Sequence, residues 1–138
     1  MIVSKLMTPN PITVAPGDSL GDAYGIMLRN DIHELPVMDD ERLVGILTRR
    51  DIQVAIGPGA LELDPDTMNG GALEDQIAEY MTRDVESISP QDSVATACRT
   101  LVSLRVGALP VVDAHGKLRG ILSVTDVLAA AAELFERR

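Results

Sequence analysis

Two stretches of the chain place apolar side chains at intervals of three and four residues. One runs from Leu20 to Leu28 and the other from Val94 to Val102. The apolar positions fall at i, i+3, i+4, i+7 and i+8, which is one face of an α-helix. They are Leu20, Ala23, Tyr24, Met27 and Leu28 in the first stretch, and Val94, Ala97, Cys98, Leu101 and Val102 in the second. Ser19 and Ser93 are good N-caps, and Ser19 with Asp22 resembles a capping box, so we predict two helices.

Each helical stretch is followed by two short apolar runs with turn-forming residues between them, which predicts a β-hairpin. The runs are Leu35–Met38 and Leu43–Leu47 in the first half, and Leu109–Val112 and Leu118–Leu122 in the second. A further helix is expected to start at Thr48 and at Ser123, and a short strand is expected near Ile12–Val14 and near Ser87–Ser89. Each half is therefore predicted as β-α-β-β-α.

The two halves are copies of one another. Met7-Thr8 recurs as Met81-Thr82, 74 positions later, and Leu35–Asp39 recurs as Leu109–Asp113 at the same offset. One residue is then gained at Gly116, and the offset becomes 75. This ordered agreement indicates internal duplication, in which each copy is one supersecondary unit.

The duplication predicts an α+β fold of two βαββα repeats, packed sheet to sheet with pseudo-two-fold symmetry. We assign residues 1–56 to the first repeat, 57–72 to a linker rich in turn formers, and 73–138 to the second repeat with a C-terminal helix. Leu73–Met81 is a short amphipathic segment that leads into the second repeat. A two-stranded hairpin is not stable alone, so the pair is expected to fold together.

Composition narrows the functional classes. The formal net charge is -9 and only 2% of the residues are aromatic, so we expect no nucleic-acid partner. The single cysteine, Cys98, fits a reducing cytoplasm. No signal peptide and no run of 18 apolar residues is present, so no membrane partner is expected either. The sequence also lacks the glycine-rich phosphate loops and the catalytic motifs of hydrolases and zinc proteases, so we predict no enzyme and no metal site.

The repeated pieces resemble CBS domains in the paired arrangement called a Bateman module. They are Met-Thr at the start, Leu-Pro-Val-x-Asp, Gly-Ile-Leu-Thr/Ser and Thr/Ser-x-x-Asp, in this order and twice, from about Val3 to Leu128. The resemblance implies a non-catalytic regulatory module that binds adenosyl ligands in clefts between the repeats and signals to an unknown protein effector. AMP, ATP, ADP and S-adenosylmethionine are the candidate ligands, and no cofactor is required. The chain looks free-standing, because no residues are left for an effector domain.

The same resemblance names the site residues. It implies that Asp51 and Asp126 contact ribose and that Thr48 and Ser123 lie near phosphate. Adenine is expected against the backbone of the first strand of each repeat, which comprises Ile12, Thr13 and Val14, or Ser87 and Ile88. Arg50 and His33 are expected to bring positive charge to the first cleft.

These motifs chemically suit a nucleotide, but one alternative stays open. A helix N-terminus favours phosphate, and a carboxylate can accept two ribose hydroxyls. Thr-x-x-Asp is equally the pattern of a capping box, which any helix starting there could use. The alternative function is accordingly a ligand-free interaction or scaffold protein, and Arg49 could be part of a solvated helix face.

We also expect a homodimer and a difference in phosphate affinity between the two clefts. The resemblance implies a homodimer through the helices, including those that carry Ile52, Ala55, Ile56, Val127, Leu128, Ala131 and Ala132. Thr48–Asp51 contains two arginines and Ser123–Asp126 contains none, so we expect the Asp51 cleft to be the better phosphate site.

Overall fold

The computed structural model describes residues 1–57 and 71–137, so most of the predicted linker lies outside the described residues. The helices are α1 (Leu20–Asn30), α2 (Arg49–Ile56), α3 (Val94–Leu104) and α4 (Val124–Glu136). The strands are β1 (Thr8–Pro9), β2 (Glu34–Asp39), β3 (Arg42–Thr48), β4 (Ala108–Val112) and β5 (Leu118–Ser123). Single 3-10 turns occupy Val3–Lys5, Gly71–Glu74 and Ile77–Glu79. The predicted helices and both hairpins are confirmed.

The chain forms two compact units that group its residues differently from the sequence repeats. The central unit is Ile12–Val85, and the terminal unit combines Met1–Pro11 with Glu86–Arg138. The Met-Thr pair of the first repeat therefore belongs to the terminal unit, whereas that of the second repeat belongs to the central unit. Each unit contains the helix, hairpin and helix of one repeat and the Met-Thr segment of the other.

The central unit packs α1, α2 and the β2–β3 hairpin around a core that is mainly aliphatic and includes Tyr24. Ser19 Oγ accepts the backbone N–H of Asp22 at 3.1 Å, which caps α1 as predicted, although the reciprocal half of a capping box is not formed. Tyr24, Met27, Leu35 and Leu47 are buried together with residues of the Leu73–Met81 segment. That segment was predicted as amphipathic, and it forms the turns Gly71–Glu74 and Ile77–Glu79, which bury Leu73 and Ile77. Its apolar side is thus part of the core.

The terminal unit repeats this arrangement with α3, α4 and a sheet in the order β1-β5-β4. Val3 takes the place of Ile77: its N–H donates to Asp92 O at 2.8 Å, as that of Ile77 donates to Asp18 O at 2.8 Å. Both side chains are fully buried. The match between the units thus includes the turn before each Met-Thr pair, which the apolar periodicity did not reveal.

The strands predicted near Ile12–Val14 and Ser87–Ser89 are only single bridges, Val14 to Val37 and Ile88 to Val111. Val14 donates to Pro36 O and accepts from Met38 N, in the parallel pattern. The next bond of that ladder would need an N–H from Pro36, which proline lacks. Pro110 ends the ladder of Ile88 in the same way, so the repeated Leu-Pro-Val motif stops each pairing on its N-terminal side.

A repeated glycine in each hairpin allows the Met-Thr segment to lie directly on the sheet. A Cβ added to Gly45 would come 2.7 Å from Met81 Sδ and 2.8 Å from Thr82 O. A Cβ added to Gly120 would come 2.6 Å from Met7 Sδ and 2.8 Å from Thr8 O. Real Cβ atoms do not approach this closely, so glycine is required at both positions because the backbone of the other segment passes there.

Candidate functional site

The strand-to-helix junction of the central unit lies where β3 passes into α2. Thr48 Oγ1 accepts the N–H of Asp51 at 3.1 Å, and Asp51 Oδ2 accepts the N–H of Thr48 at 2.8 Å. These two bonds form a complete capping box. The capping role that the pattern suggested is therefore present, and it uses only one of the two carboxylate oxygens of Asp51.

The junction of the terminal unit has the same geometry between β5 and α4. Ser123 Oγ accepts the N–H of Asp126 at 3.0 Å, and Asp126 Oδ2 accepts the N–H of Ser123 at 3.0 Å. Here the carboxylate has a further partner, because Thr8 Oγ1 lies 3.3 Å from Oδ1 and 3.4 Å from Oδ2. Thr8 was not among the predicted site residues. Its repetition in the Met-Thr pair was the available signal, but periodicity does not show which carboxylate it contacts.

Most backbone donors at these helix starts are already used. A helix start leaves four N–H groups without an intrahelical acceptor. At α2, those of Thr48 and Asp51 form the capping box and that of Arg49 donates to His33 O at 2.8 Å. The remaining one belongs to Arg50. At α4, the N–H groups of Ser123 and Asp126 form the capping box and that of Val124 donates to Gly107 O at 2.9 Å. The remaining N–H group belongs to Thr125. The backbone alone therefore offers a phosphate one donor at each junction.

The arginine side chains at the first junction point to different environments. Arg50 is exposed, whereas Arg49 is half-buried with its guanidinium carbon 6.0 Å from the centre of the Tyr24 ring. This is the outer range of a cation–π contact. The His33 side chain is exposed, and its carbonyl joins the junction through Arg49 N. Thr48, Arg50, Asp51 and His33 are thus brought together.

Ile12, Thr13 and Val14 lie on the other side of β2 from β3, because β2 pairs with Val14 on one edge and with β3 on the other. Two strand spacings, about 10 Å, therefore separate this segment from β3. Ser87 and Ile88 have the equivalent place beside β4 in the terminal unit. The side chains of Ile12, Thr13 and Ser87 are exposed, whereas those of Val14 and Ile88 are buried.

Among the described residues of the terminal unit, no arginine stands at the start of α4, the place that Arg50 has in α2. Arg119 lies with Nη1 3.9 Å from Asp113 Oδ2 at the β4–β5 turn, and Arg105 ends α3 in the left-handed conformation with φ 55°. Thr125 is the residue that matches Arg50. The charge difference between the two motifs therefore persists in the folded units.

Among the residues that the structure describes, no group of three or more His, Cys, Asp and Glu could hold a metal ion. Within the same part of the chain, no helix is long and apolar enough to cross a membrane.

Comparison with known proteins decides the family. A family model described as CBS domain matches residues 3–57 and 77–133. The chain belongs to the CBS domain family. The structure of CBSX2 from Arabidopsis thaliana, solved in complex with AMP, has a TM-score of 0.79 and 30% identity, covering 96% of this chain and 97% of that one. The CBS domain pair of protein MJ0100, solved with 5′-methylthioadenosine and S-adenosyl-L-methionine, has a TM-score of 0.81 and 25% identity, with the same coverage of 96% and 97%.

Among curated proteins, the inosine-5′-monophosphate dehydrogenase of Methanocaldococcus jannaschii is 33% identical over 128 residues, which is 90% of this chain and 22% of the enzyme. The chain spans less than half the length of the first curated relatives that it matches, 46% in one case and 22% in the enzyme. The likeness to CBS pairs supports the predicted α+β fold of two CBS repeats.

Proposed function

We propose that this CBS pair is a non-catalytic regulatory module that binds an adenosyl ligand at its strand-to-helix junctions and signals to a partner protein. The observation that carries the proposal is the half-buried Asp51 carboxylate. Its Oδ2 is used by the capping box, whereas Oδ1 accepts no hydrogen bond from the described residues and lies in the first turn of α2 beside Arg50. The AMP complex of CBSX2 and the adenosyl complexes of MJ0100 supply the ligand class.

Each chemical part of such a ligand has a matching group in the central unit. Asp51 Oδ1 can accept a ribose hydroxyl, and the Arg50 guanidinium and N–H can donate to phosphate. The Ile12 carbonyl is left without a ladder donor by Pro36, and no other described N–H donates to it. It is available to the amino group of adenine. Ser87 and Ile88 would take the part of Ile12, Thr13 and Val14 in the terminal unit.

Calorimetric titration with AMP, ADP, ATP and S-adenosylmethionine tests binding, and native mass spectrometry of protein purified without denaturation tests for a ligand retained from the cell. We expect heat and a thermal shift with at least one compound. A chain that responds to none of them would instead support the ligand-free scaffold, whose pockets stay empty.

Asparagine variants separate the site from the cap. Asp51→Asn retains an oxygen that can accept the Thr48 N–H but replaces the other oxygen with an amide donor. Affinity for AMP should fall about tenfold to a hundredfold, the value of a hydrogen bond to a charged group. Asp22→Asn in the first turn of α1 is the control. If Asp51 reads the ribose, 2′-deoxy-AMP should bind wild type more weakly but lose little further affinity in Asp51→Asn.

The two junctions should be unequal for polyphosphates. Asp51→Asn is expected to abolish the tighter ATP-binding event and Asp126→Asn to leave it nearly intact, because only the first junction has Arg50. Arg50→Gln should weaken that event about tenfold, whereas Arg42→Gln at the β2–β3 turn should not. Equal losses from the two asparagine variants would show that motif charge does not rank the sites.

We also propose a homodimer that uses α4. This helix has no buried residue, and Leu128, Leu134 and Phe135 are 63%, 57% and 74% exposed. Ile52, which the dimer prediction included, is fully buried in the central unit and unavailable to a partner. Exposed apolar patches of this kind mark interfaces. Light scattering should give a dimer mass for wild type and for Arg42→Glu, and a monomer mass for Phe135→Glu.

The effector and the compartment belong to the same proposal. A regulatory module of this kind would act in the cytoplasm on a protein whose activity changes with nucleotide occupancy, and it would show no turnover of the bound ligand. Recovering AMP or ATP unchanged after prolonged incubation supports the non-catalytic part. Cell fractionation tests the compartment.

A further inference from the structure

The Asp126 carboxylate differs from its counterpart in one respect that bears on ligand binding. Thr8 Oγ1 lies almost equally far from its two oxygens, at 3.3 Å and 3.4 Å. Among the described residues Asp51 has no such partner: Thr82, the counterpart of Thr8, donates no hydrogen bond to it. We infer that the Thr8 hydroxyl is a built-in competitor for the hydroxyls of a ligand at Asp126, which lowers the affinity of this junction and leaves that of Asp51 unaffected. This inference rests on the proposed function.

The position of Thr8 is fixed by the backbone. Thr8 pairs with Ile121 and Pro9 pairs with Gly120 in β1 and β5. Asn10 N donates to Arg119 O at 3.3 Å just beyond them. The close approach of Thr8 O to Gly120 permits no side chain in between. The backbone of Thr8 is therefore held by the sheet at a place from which its hydroxyl reaches Asp126.

Thr8 and a ribose diol compete for the same acceptor sites on the Asp126 carboxylate. An ionised carboxylate has about four lone-pair sites on two oxygens. The Ser123 N–H uses one site on Oδ2, and the Thr8 hydroxyl straddles both oxygens. A vicinal diol would donate to both oxygens from outside the capping box. It can do so at Asp126 only when Thr8 turns away, which an exposed side chain can do by donating to water.

The expected effect is modest, because the Thr8 contact is long and exposed. A hydrogen bond of ordinary net value corresponds to about a twofold to tenfold change in affinity. Removing the hydroxyl should therefore tighten AMP binding at Asp126 by that factor. Removal of the Thr82 hydroxyl should leave AMP binding at Asp51 unchanged.

The test measures one junction at a time. In an Asp51→Asn background, Thr8→Val and Thr8→Ala should each raise AMP affinity twofold to tenfold, and Thr8→Ser, which keeps the hydroxyl, should not. In an Asp126→Asn background, Thr82→Val is the matched control. With 2′-deoxy-AMP, which presents one hydroxyl fewer, the gain from Thr8→Val should shrink.

The outcomes separate this inference from the proposed function. Absence of any response of wild type to AMP, ADP, ATP and S-adenosylmethionine would overturn the proposed function. Binding at Asp126 that is unchanged or weakened by both Thr8→Val and Thr8→Ala would overturn the competitor role alone and make Thr8 a supporting residue of the site. Circular dichroism of each variant verifies that the fold is retained.

Discussion

The central and terminal units have the same order of helices and strands, but they bury the second helix, α2 or α4, to different extents. In the central unit, the turn Gly71–Glu74 packs Leu73 against α1 and α2, and Ile52 on α2 is fully buried. In the terminal unit, Val127 matches Ile52 but is only half-buried, and α4 buries no residue. The duplicated sequence thus determines where strands and helices run, while a short segment outside the repeated motifs decides which helix face is closed.

The largest loss of stability is expected when Leu73 is replaced. Leu73→Ala removes a nearly buried side chain, 6% exposed, from the core of the central unit. We expect the free energy of unfolding to fall by about 2–5 kcal/mol, since leucine-to-alanine changes in cores lie in that range. Urea denaturation measures it.

Leu128→Ala is the matched control, because the same atoms are removed from an exposed position on α4. It should change stability by less than about 0.5 kcal/mol at concentrations where the chain is monomeric. Similar losses from the two variants would mean that the Gly71–Glu74 turn does not distinguish the units.

Both units have a glycine, Gly45 or Gly120, over which the Met-Thr segment passes, and substitution should destabilise each unit similarly. Gly45→Ala and Gly120→Ala each force a methyl group against a methionine side chain and a carbonyl oxygen of the crossing segment. Overpacking of this kind costs about 1–3 kcal/mol. Gly17→Ala, where a Cβ would meet nothing within 4 Å, should be neutral or slightly stabilising. If only one of the two hairpin variants is destabilised, the two crossings are not equivalent.

Much of this fold was accessible from the sequence because period and repetition are local signals. The Leu20–Leu28 periodicity and its Ser19 cap predicted α1 to within two residues of its observed end at Asn30. The same signals could not show that the first eleven residues pack with the second repeat, since this depends on long-range pairing such as Thr8 with Ile121. Nor could they show that Pro36 stops the Val14 ladder on its N-terminal side.

The site was predictable in outline only. Thr48 with Asp51 and Ser123 with Asp126 do meet at the two junctions, because their spacing is that of a capping box. Which carboxylate oxygen stays available was not predictable, because it depends on Thr8, more than a hundred residues away in sequence from Asp126. The contact of Arg119 with Asp113 was not predictable either, because it forms across the hairpin turn.

The smallest expected difference lies in the hairpin turns, where Asp113 and Asp39 match. Asp113 Oδ1 accepts the N–H groups of His115 at 2.9 Å and Lys117 at 3.0 Å, whereas the Asp39 carboxylate accepts no hydrogen bond from the described residues. The hydrogen bond from Lys117 is the largest of the causes that hold the pKa of Asp113 below its ordinary value of 3.8.

A carboxyl whose pKa is lower in the folded state stabilises the fold above its unfolded pKa and loses that contribution as the pH falls through the folded value. Asp113→Asn, which keeps one acceptor oxygen but no charge, should therefore be slightly less stable than wild type near neutral pH. The gap should close as the pH falls below about 4, with Asp39→Asn costing less near neutrality. Urea midpoints measured over this range check both statements, and a gap that persists unchanged in acid would assign the effect of Asp113 to packing instead of ionisation.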